Sequence, residues 1–208
     1  MYVIVEGMPG TGKTTISKLL ARKLNALYVK STFSNTDYGN NLRHILNEGK
    51  IKESEFFYLI DLLQDELRIQ RLLNEQKRIV RDKTFTSSLS HLCAHGFINE
   101  DSSVKKAIYD SYILLSENSI SPDAVVYVKP DQKEIFNHLM NKKDLSKWDI
   151  ELSSCKNKYE AQKNELEKII SEKYSDKIIY IDCFSDTVDN MCDSIIKQLY
   201  LKQLYLEK

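Results

Sequence analysis

A glycine-rich loop near the amino terminus has the residue types and the spacing that bind phosphate. Residues 7–14 read GMPGTGKT and match G-x-x-x-x-G-K-[ST] at every specified position. Glycines let successive backbone amides point at phosphate oxygens, and a helix that follows adds the positive end of its dipole. The loop therefore predicts a nucleotide site in which Lys13 reaches the β- and γ-phosphates and Thr14 ligates Mg²⁺. The residues expected to bind the nucleotide are Gly7, Gly10, Thr11, Gly12, Lys13, Thr14 and Thr15.

A carboxylate at position 82 is the second candidate for chemistry. Asp82 follows a short apolar run at residues 79–80, and the carboxyl end of a buried strand would bring it beside the phosphate-binding loop. There it could hold a Mg²⁺-bound water or accept a proton from an attacking hydroxyl. It could equally cap the next helix, because aspartate is a favoured N-cap residue. This segment alone leaves the two interpretations open.

One motif points to a different class of phosphate-binding protein. Residues 141–144 read NKKD and fit N-K-x-D, the guanine-reading motif of GTPases. The motif lies beyond a helical segment rather than directly at a strand end, and the sequence contains no D-x-x-G. The sequence therefore favours another kind of nucleotide-binding protein over a GTPase.

Composition narrows the class of protein further. The chain has 208 residues, 42% hydrophobic and 29% charged, the balance of a globular protein with a buried core. Thirty Lys and Arg offset thirty Asp and Glu, so no net charge draws the protein to nucleic acid polymers. No run approaches the ~18 apolar residues of a membrane span, and from the residues before the loop we expect no signal peptide. We expect a cytoplasmic protein with a small-molecule partner, and reduced thiols at Cys93, Cys155, Cys183 and Cys192.

Five apolar runs alternate with segments of helical period along the chain. The runs expected to be strands are residues 2–5, 26–29, 79–80, 124–128 and 178–181. Strands that alternate with helices predict a parallel sheet covered on both faces. The expected fold is a three-layer α/β/α sandwich with about five strands and the P-loop at the end of the first, formed by residues 1–208 as one domain. A helix expected over residues 53–76 should bury the stripe Phe56, Ile60, Leu63 and Leu67.

Two segments resemble those of thymidylate kinases. Residues 6–15, EGMPGTGKTT, resemble E-G-x-D-G-x-G-K-T-T, and residues 82–91, DKTFTSSLSH, resemble D-R-Y-x-x-S-S-x-A-Y. Weaker matches follow in the family's order at residues 55–64, 122–128 and 180–182. The resemblance extends over most of the chain. It implies ATP-dependent phosphoryl transfer to a small acceptor, a nucleoside monophosphate or a nucleoside, with Mg²⁺ as cofactor.

The resemblance also implies roles for individual residues. It makes Asp82 the catalytic carboxylate, either for a Mg²⁺-bound water or as the base. Lys83 takes the place of an arginine that clamps the acceptor phosphate, and Tyr58 takes the aromatic position that stacks on the acceptor base. The residues implied to line the acceptor site are Arg43, Gln64 and His91. The lid, expected at about residues 138–150, offers Lys142 and Lys143 where the family has arginines.

Departures from the family pattern fall mainly on the acceptor side. Pro9 replaces an acidic residue, Leu62 an arginine and Thr84 a tyrosine, and residues 32–36 replace E-P-G-G-T. The donor residues are retained, so we expect an acceptor other than ordinary thymidylate. A kinase for a non-nucleotide metabolite and a nucleotide-binding regulator without transfer activity stay as alternatives. Because family members commonly dimerise, the resemblance is also compatible with a homodimer.

Overall fold

A five-stranded parallel sheet lies at the centre of the computed structural model, which describes residues 1–30, 54–94, 103–131, 135 and 155–206. The strands are β1 (Tyr2–Gly7), β2 (Leu27–Lys30), β3 (Ile79–Asp82), β4 (Ala124–Lys129) and β5 (Ile178–Asp182). Their order across the sheet is β2-β3-β1-β4-β5, and every neighbouring pair is parallel. The five predicted strands are confirmed, each shifted or extended by one or two residues.

Helices cover both faces of this sheet. Within the described residues they are α1 (Lys13–Lys23), α2 (Ser54–Asn74), α3 (Phe85–Ala94), α4 (Ser103–Asn118), α5 (Lys156–Tyr174) and α6 (Val188–Leu206). Successive side chains of a strand point to opposite faces, and Asp82 bonds to α1 while its neighbour Arg81 bonds to α2. The predicted α/β/α layering is therefore confirmed. No helix in the described part of the chain is long and apolar enough to cross a membrane.

The inward face of α2 differs from the one that its apolar spacing predicts. Leu63 is 45% exposed and Leu67 is 55% exposed, so the prediction that these two leucines belong to the core is wrong. Among residues 57–74 of α2, whose side chains the structure describes, the buried ones are instead Leu59, Asp61, Leu62, Asp65 and Ile69. Two aspartates on the inward face made that face look solvated in the sequence. The burial of Asp65 is possible because the sheet presents a cation to this helix.

That cation is Arg81, whose side chain is fully buried between the sheet and α2. Its Nη1 donates to Glu66 Oε1 and, over 3.2 Å, to the Tyr2 hydroxyl. Asp65 Oδ2 lies 3.9 Å from Nη2. A buried guanidinium is tolerated when carboxylates balance its charge and accept its hydrogen atoms. This ion cluster therefore fixes α2 to β3.

Replacing Arg81 with methionine should lower the free energy of unfolding by about 3–5 kcal/mol, because Asp65 and Glu66 would then keep buried charges without their cation. Urea denaturation followed by circular dichroism measures the change. Arg78→Met is the matched control, since Arg78 is exposed just before the same strand, and it should change the stability by only about 0.5 kcal/mol. An equal loss in the two variants would contradict the structural role of the cluster.

Candidate active site

The phosphate-binding loop joins β1 to α1 and leaves room only for glycine at its first position. A Cβ atom on Gly7 would lie 2.8 Å from the Val128 carbonyl oxygen and 2.9 Å from Thr11 Oγ1. Gly12, immediately before α1, has a φ of 79°, a left-handed conformation that glycine adopts without strain. These two glycines allow the chain to turn sharply from strand to helix.

Lys13 is the first residue of α1, and its ammonium group lies across the loop. Its Nζ donates to the Met8 carbonyl oxygen at 3.2 Å, and the Thr11 hydroxyl donates to the same oxygen at 2.9 Å. The amino terminus of a helix itself favours anions, through its free amides and its dipole. A lysine charge and a helix terminus therefore converge where the sequence predicts phosphate.

The P-loop is joined to β3 by a short hydrogen bond. The Thr14 hydroxyl donates to Asp82 Oδ2 at 2.7 Å. Asp82 ends β3 and is paired in register with Val5 of β1, the strand that leads into the loop. The carboxylate therefore lies beside the glycine-rich loop and contacts it.

The sequence alone allows Asp82 to be the N-cap of α3, but in the structure another residue has this role. α3 begins at Phe85, and the Thr84 hydroxyl accepts a hydrogen bond from the Thr86 amide at 3.4 Å. This is the geometry of an N-cap, in which a side-chain oxygen serves an amide of the first turn. Thr84 thus caps α3, and Asp82 serves Thr14.

The oxygen atoms of Thr14 and Asp82 are of the kind that magnesium prefers. Mg²⁺ takes hard oxygen ligands and is usually bound through one or two carboxylates, water molecules and substrate phosphates. A hydroxyl and a carboxylate oxygen lie 2.7 Å apart here, next to the residue that carries the loop ammonium group. The residues present therefore fit a Mg²⁺–nucleotide complex.

Asp82 has a further partner that the sequence did not indicate. The hydroxyl of Tyr28, on the edge strand β2, donates to Asp82 Oδ2 at 3.1 Å. Burial, followed by the negative charge of Asp82, raises the pKa of Tyr28 above its ordinary value. The phenol therefore stays protonated and acts as a hydrogen-bond donor to the carboxylate.

Glu6 is a fully buried carboxylate held by the segment that follows Lys83. Its Oε1 accepts hydrogen bonds from the amide and hydroxyl of Thr84, both at 2.7 Å, and from the Thr86 hydroxyl at 2.5 Å. Its Oε2 accepts one from the Ser87 hydroxyl at 2.7 Å. All of these donors lie at the amino terminus of α3, where the helix dipole favours a negative charge. Glu6 therefore anchors the start of α3 to β1.

Lys83 lies between these two anchored residues in an unusual backbone conformation. Its φ is 74°, and its amide donates to the Val5 carbonyl oxygen at 3.0 Å. A left-handed conformation is unfavourable for a residue other than glycine and persists where the surrounding structure fixes it. Asp82 on one side and Thr84 on the other supply that constraint. Lys83 is thus held at the carboxyl edge of the sheet.

The other predicted acceptor residues are spread over two helices. Tyr58 is half-buried on α2 and His91 is half-buried on α3, whereas Gln64 is exposed on α2. Tyr58 and Gln64 are six residues apart, which separates them by about 120° around the helix axis. Outside the described residues lie Arg43, Lys142, Lys143, the lid at residues 138–150, and residues 32–36.

Two departures from the expected family pattern have local structural counterparts. Leu62, where the resemblance implies arginine, is fully buried with Phe85 and Leu89 in an apolar cluster between α2, α3 and α4. Thr84, where it implies tyrosine, is also buried and directs its hydroxyl to Glu6. A packing contact and a hydrogen bond therefore occupy these two positions.

Sequence reasoning did not assign Glu6 or Tyr28 to the site. One signal was present for Glu6, because a single carboxylate within an otherwise apolar buried strand needs hydrogen-bond donors. No such signal exists for Tyr28, whose contact depends on the register of β2 beside β3.

The geometry alone is compatible with a nucleotide or nucleoside kinase, a kinase for another metabolite, or a nucleotide-binding regulator. Comparison with protein families decides between these classes. The sequence model of the family described as "Thymidylate kinase" matches residues 5–183, a range that includes the loop, Asp82 and Lys83. The chain belongs to the thymidylate kinase family. It is accordingly a kinase of the nucleotide and nucleoside group, and this predicted enzyme class is confirmed.

Individual thymidylate kinase relatives match most of the chain. A protein described as a probable thymidylate kinase of Methanococcus maripaludis is 28% identical over 204 residues, which cover 95% of this chain and 94% of that protein. A thymidylate kinase of Helicobacter pylori is 32% identical over 151 residues, which cover 71% of each chain. The similarity therefore includes both the loop and the helices behind it.

Solved structures agree with the kinase fold. The thymidylate kinase from Candida albicans superposes with a TM-score of 0.74 at 18% identity, covering 97% of this chain and 91% of that one. A deoxyadenosine kinase from M. mycoides superposes with a TM-score of 0.71 at 19% identity, covering 96% of this chain and 99% of that one. At this level of identity the likeness establishes the fold, which a nucleotide kinase and a nucleoside kinase share.

Glu6→Ala should lower the free energy of unfolding by about 1–3 kcal/mol, because the buried Thr84 amide loses its acceptor. Amide hydrogen exchange should also become faster at residues 84–87 than in the rest of α3. Glu75→Ala, at an exposed position after α2, is the control and should change neither quantity. Unchanged exchange at residues 84–87 in the Glu6 variant would show that the carboxylate does not anchor this segment.

Proposed function

We propose that this protein transfers the terminal phosphoryl group of ATP to the phosphate of a nucleoside monophosphate, with Mg²⁺ as cofactor. The observation that carries the proposal is the 2.7 Å hydrogen bond between Thr14 and Asp82, which joins a loop hydroxyl to a strand-end carboxylate. Family membership supports it, because thymidylate kinases in general use ATP and Mg²⁺.

On the donor side, the chain supplies positive charge in a fixed place. Lys13 and the amides at the start of α1 neutralise negative charge on the transferring group. When bound, Mg²⁺ would neutralise further charge on the phosphates, and Thr14 and Asp82 are the residues that would hold it. Asp82 keeps the Thr14 hydroxyl in one orientation through their hydrogen bond. Catalysis on this side therefore rests on positioning and on electrostatics.

On the acceptor side, the arrangement favours a phosphate over a hydroxyl. A nucleoside acceptor has to give up a hydroxyl proton to a base, whereas a phosphate monoester is already ionised near neutral pH. Glu6 is fully buried and occupied by Thr84, Thr86 and Ser87, so a substrate hydroxyl does not reach it. The candidate base Asp82 already accepts hydrogen bonds at Oδ2 from Thr14 and Tyr28. Lys83, at the carboxyl edge of the sheet, offers a positive charge to an acceptor phosphate.

The nucleobase of the acceptor is the part that the relatives and α2 help to identify. The named relatives are thymidylate kinases, so thymidylate is the first acceptor to compare with other monophosphates. We propose that the Tyr58 ring faces the base. The other residues proposed for the acceptor and the lid are Arg43, Gln64, His91, Lys142 and Lys143.

The proposal also covers the domain, the lid and the compartment in which the enzyme acts. Residues 1–208 act as one kinase domain, and the lid at about residues 138–150 closes to keep water from taking the phosphoryl group. ATP and nucleoside monophosphates are metabolites of the cytoplasm, where we propose that the enzyme acts.

A homodimer through α2 is part of the same proposal. Leu63 and Leu67, one turn apart on α2, are exposed, and α2 packs against α4, on which Leu114 is 61% exposed. Large apolar side chains exposed on one helix face, as Leu63 and Leu67 are, are typical of protein interfaces. A second copy of this chain is the proposed partner for these leucines.

An assay of ADP release with Mg·ATP should give turnover with at least one nucleoside monophosphate and none with nucleosides or small hydroxylated metabolites. Lys13→Ala should lower kcat about 10²- to 10³-fold, because the transferring group loses a fixed charge. Lys197→Ala, at an exposed position on α6, should leave kcat unchanged. Turnover with nucleosides alone would contradict a phosphate acceptor, and nucleotide binding with no transfer to any acceptor would favour a regulator.

The double variant Leu63→Glu/Leu67→Glu should convert a dimer to a monomer, because two buried carboxylates would disrupt an apolar interface. Size-exclusion chromatography with light scattering gives the mass of each form. Leu201→Glu is the control, since Leu201 is an exposed leucine on α6, and this variant should remain dimeric. A monomeric wild-type protein, or a dimeric double variant, would contradict an interface through α2.

A further inference from the structure

Tyr28 lies on the same face of the sheet as Asp82 and reaches it from the neighbouring strand. β2 is the edge strand beside β3, with Tyr28 in register with Val80 and Lys30 in register with Asp82. Paired residues of parallel strands share a face, and so do alternate residues of one strand. The Tyr28 side chain therefore extends diagonally along this face, and its hydroxyl donates to Asp82 Oδ2 at 3.1 Å.

The aromatic ring of Tyr28 is itself held in place. It is half-buried, and the Nζ atom of Lys18, on α1, lies 5.7 Å from the ring centroid. An ammonium group over an aromatic face is attracted by the electrons of the ring. These contacts restrict the rotation of the Tyr28 side chain, so its hydroxyl approaches Asp82 from a fixed direction.

Asp82 Oδ2 thus accepts two hydroxyl hydrogen bonds, one from Thr14 at 2.7 Å and one from Tyr28 at 3.1 Å. The two donors come from different elements, α1 and the edge strand β2. A carboxylate held by two donors loses much of its freedom to rotate, which prepares it for a ligand of defined geometry. Partners of this kind usually change metal affinity when they are removed.

We propose that Tyr28 is a positioning residue for the divalent cation, which it serves by holding the Asp82 carboxylate in the orientation that Thr14 also requires. This inference rests on the proposed Mg·ATP site. It assigns to the edge strand β2 a part in cation binding, through a hydroxyl that contacts the carboxylate and not the substrate.

The test is Tyr28→Phe, which keeps the ring and removes only the hydroxyl. Mn²⁺ binding to the protein–ADP complex, measured by electron paramagnetic resonance, should weaken about tenfold. ADP binding in the presence of EDTA and the melting temperature without nucleotide should stay as in the wild type. Tyr180→Phe, on the opposite edge strand, is the matched control and should leave Mn²⁺ affinity unchanged.

A second variant tests whether Tyr28 acts through Asp82. In the Asp82→Asn background, Tyr28→Phe should cause no additional loss of Mn²⁺ affinity, because the shared carboxylate is already gone. Equal Mn²⁺ affinity of Tyr28→Phe and wild type, or independent losses in the double variant, would overturn the inference. Absence of Mn²⁺ binding to the wild-type ADP complex would instead overturn the proposed Mg·ATP site, and the inference with it.

Discussion

The geometry of the candidate active site depends on one buried carboxylate. β1 is apolar except for Glu6, and an ionised group is costly to bury unless donors surround it. Those donors all come from residues 84–87, so the start of α3 can take only one place beside β1. Once that segment is fixed, the chain between it and β3 must pass through the left-handed conformation of Lys83. A charge inside the first strand thus determines the position of a lysine at the edge of the sheet.

β3 then connects the two sides of the site. In this strand Arg81 faces α2, where it meets Asp65 and Glu66, and Asp82 faces α1, where it meets Thr14. The helix proposed for the acceptor and the loop proposed for the donor are therefore attached to adjacent residues. A movement of one relative to the other has to strain β3 or break one of these polar contacts. β3 therefore fixes the positions of the proposed donor and acceptor elements relative to each other.

The parts of the structure that could be predicted are those determined by local sequence. The loop at residues 7–14 and the five apolar runs contain their own signals, so the α/β/α fold with its P-loop followed from them. The position of Asp82 was ambiguous, because the choice between a cap and a site residue depends on Thr84 and its distant partner. The exposed stripe of α2 was misassigned because charges that are satisfied inside a protein look solvated in its sequence. Tyr28 needed the register of an edge strand, which no spacing reveals, and the roles of Arg43, Gln64, His91 and the lid lysines stay predictions.

Successive side chains of β3 alternate between the two faces of the sheet, and this alternation limits which sequence changes the enzyme can accumulate. Substitutions at Ile79 or Val80 alter packing on one face at a time. Insertion or deletion of one residue before Arg81 would shift the strand by one position and exchange its two faces. A guanidinium would then point toward Thr14, and a carboxylate would enter the buried cluster with Asp65 and Glu66. Within these four residues, divergence between related kinases should therefore proceed by replacement and not by change of length.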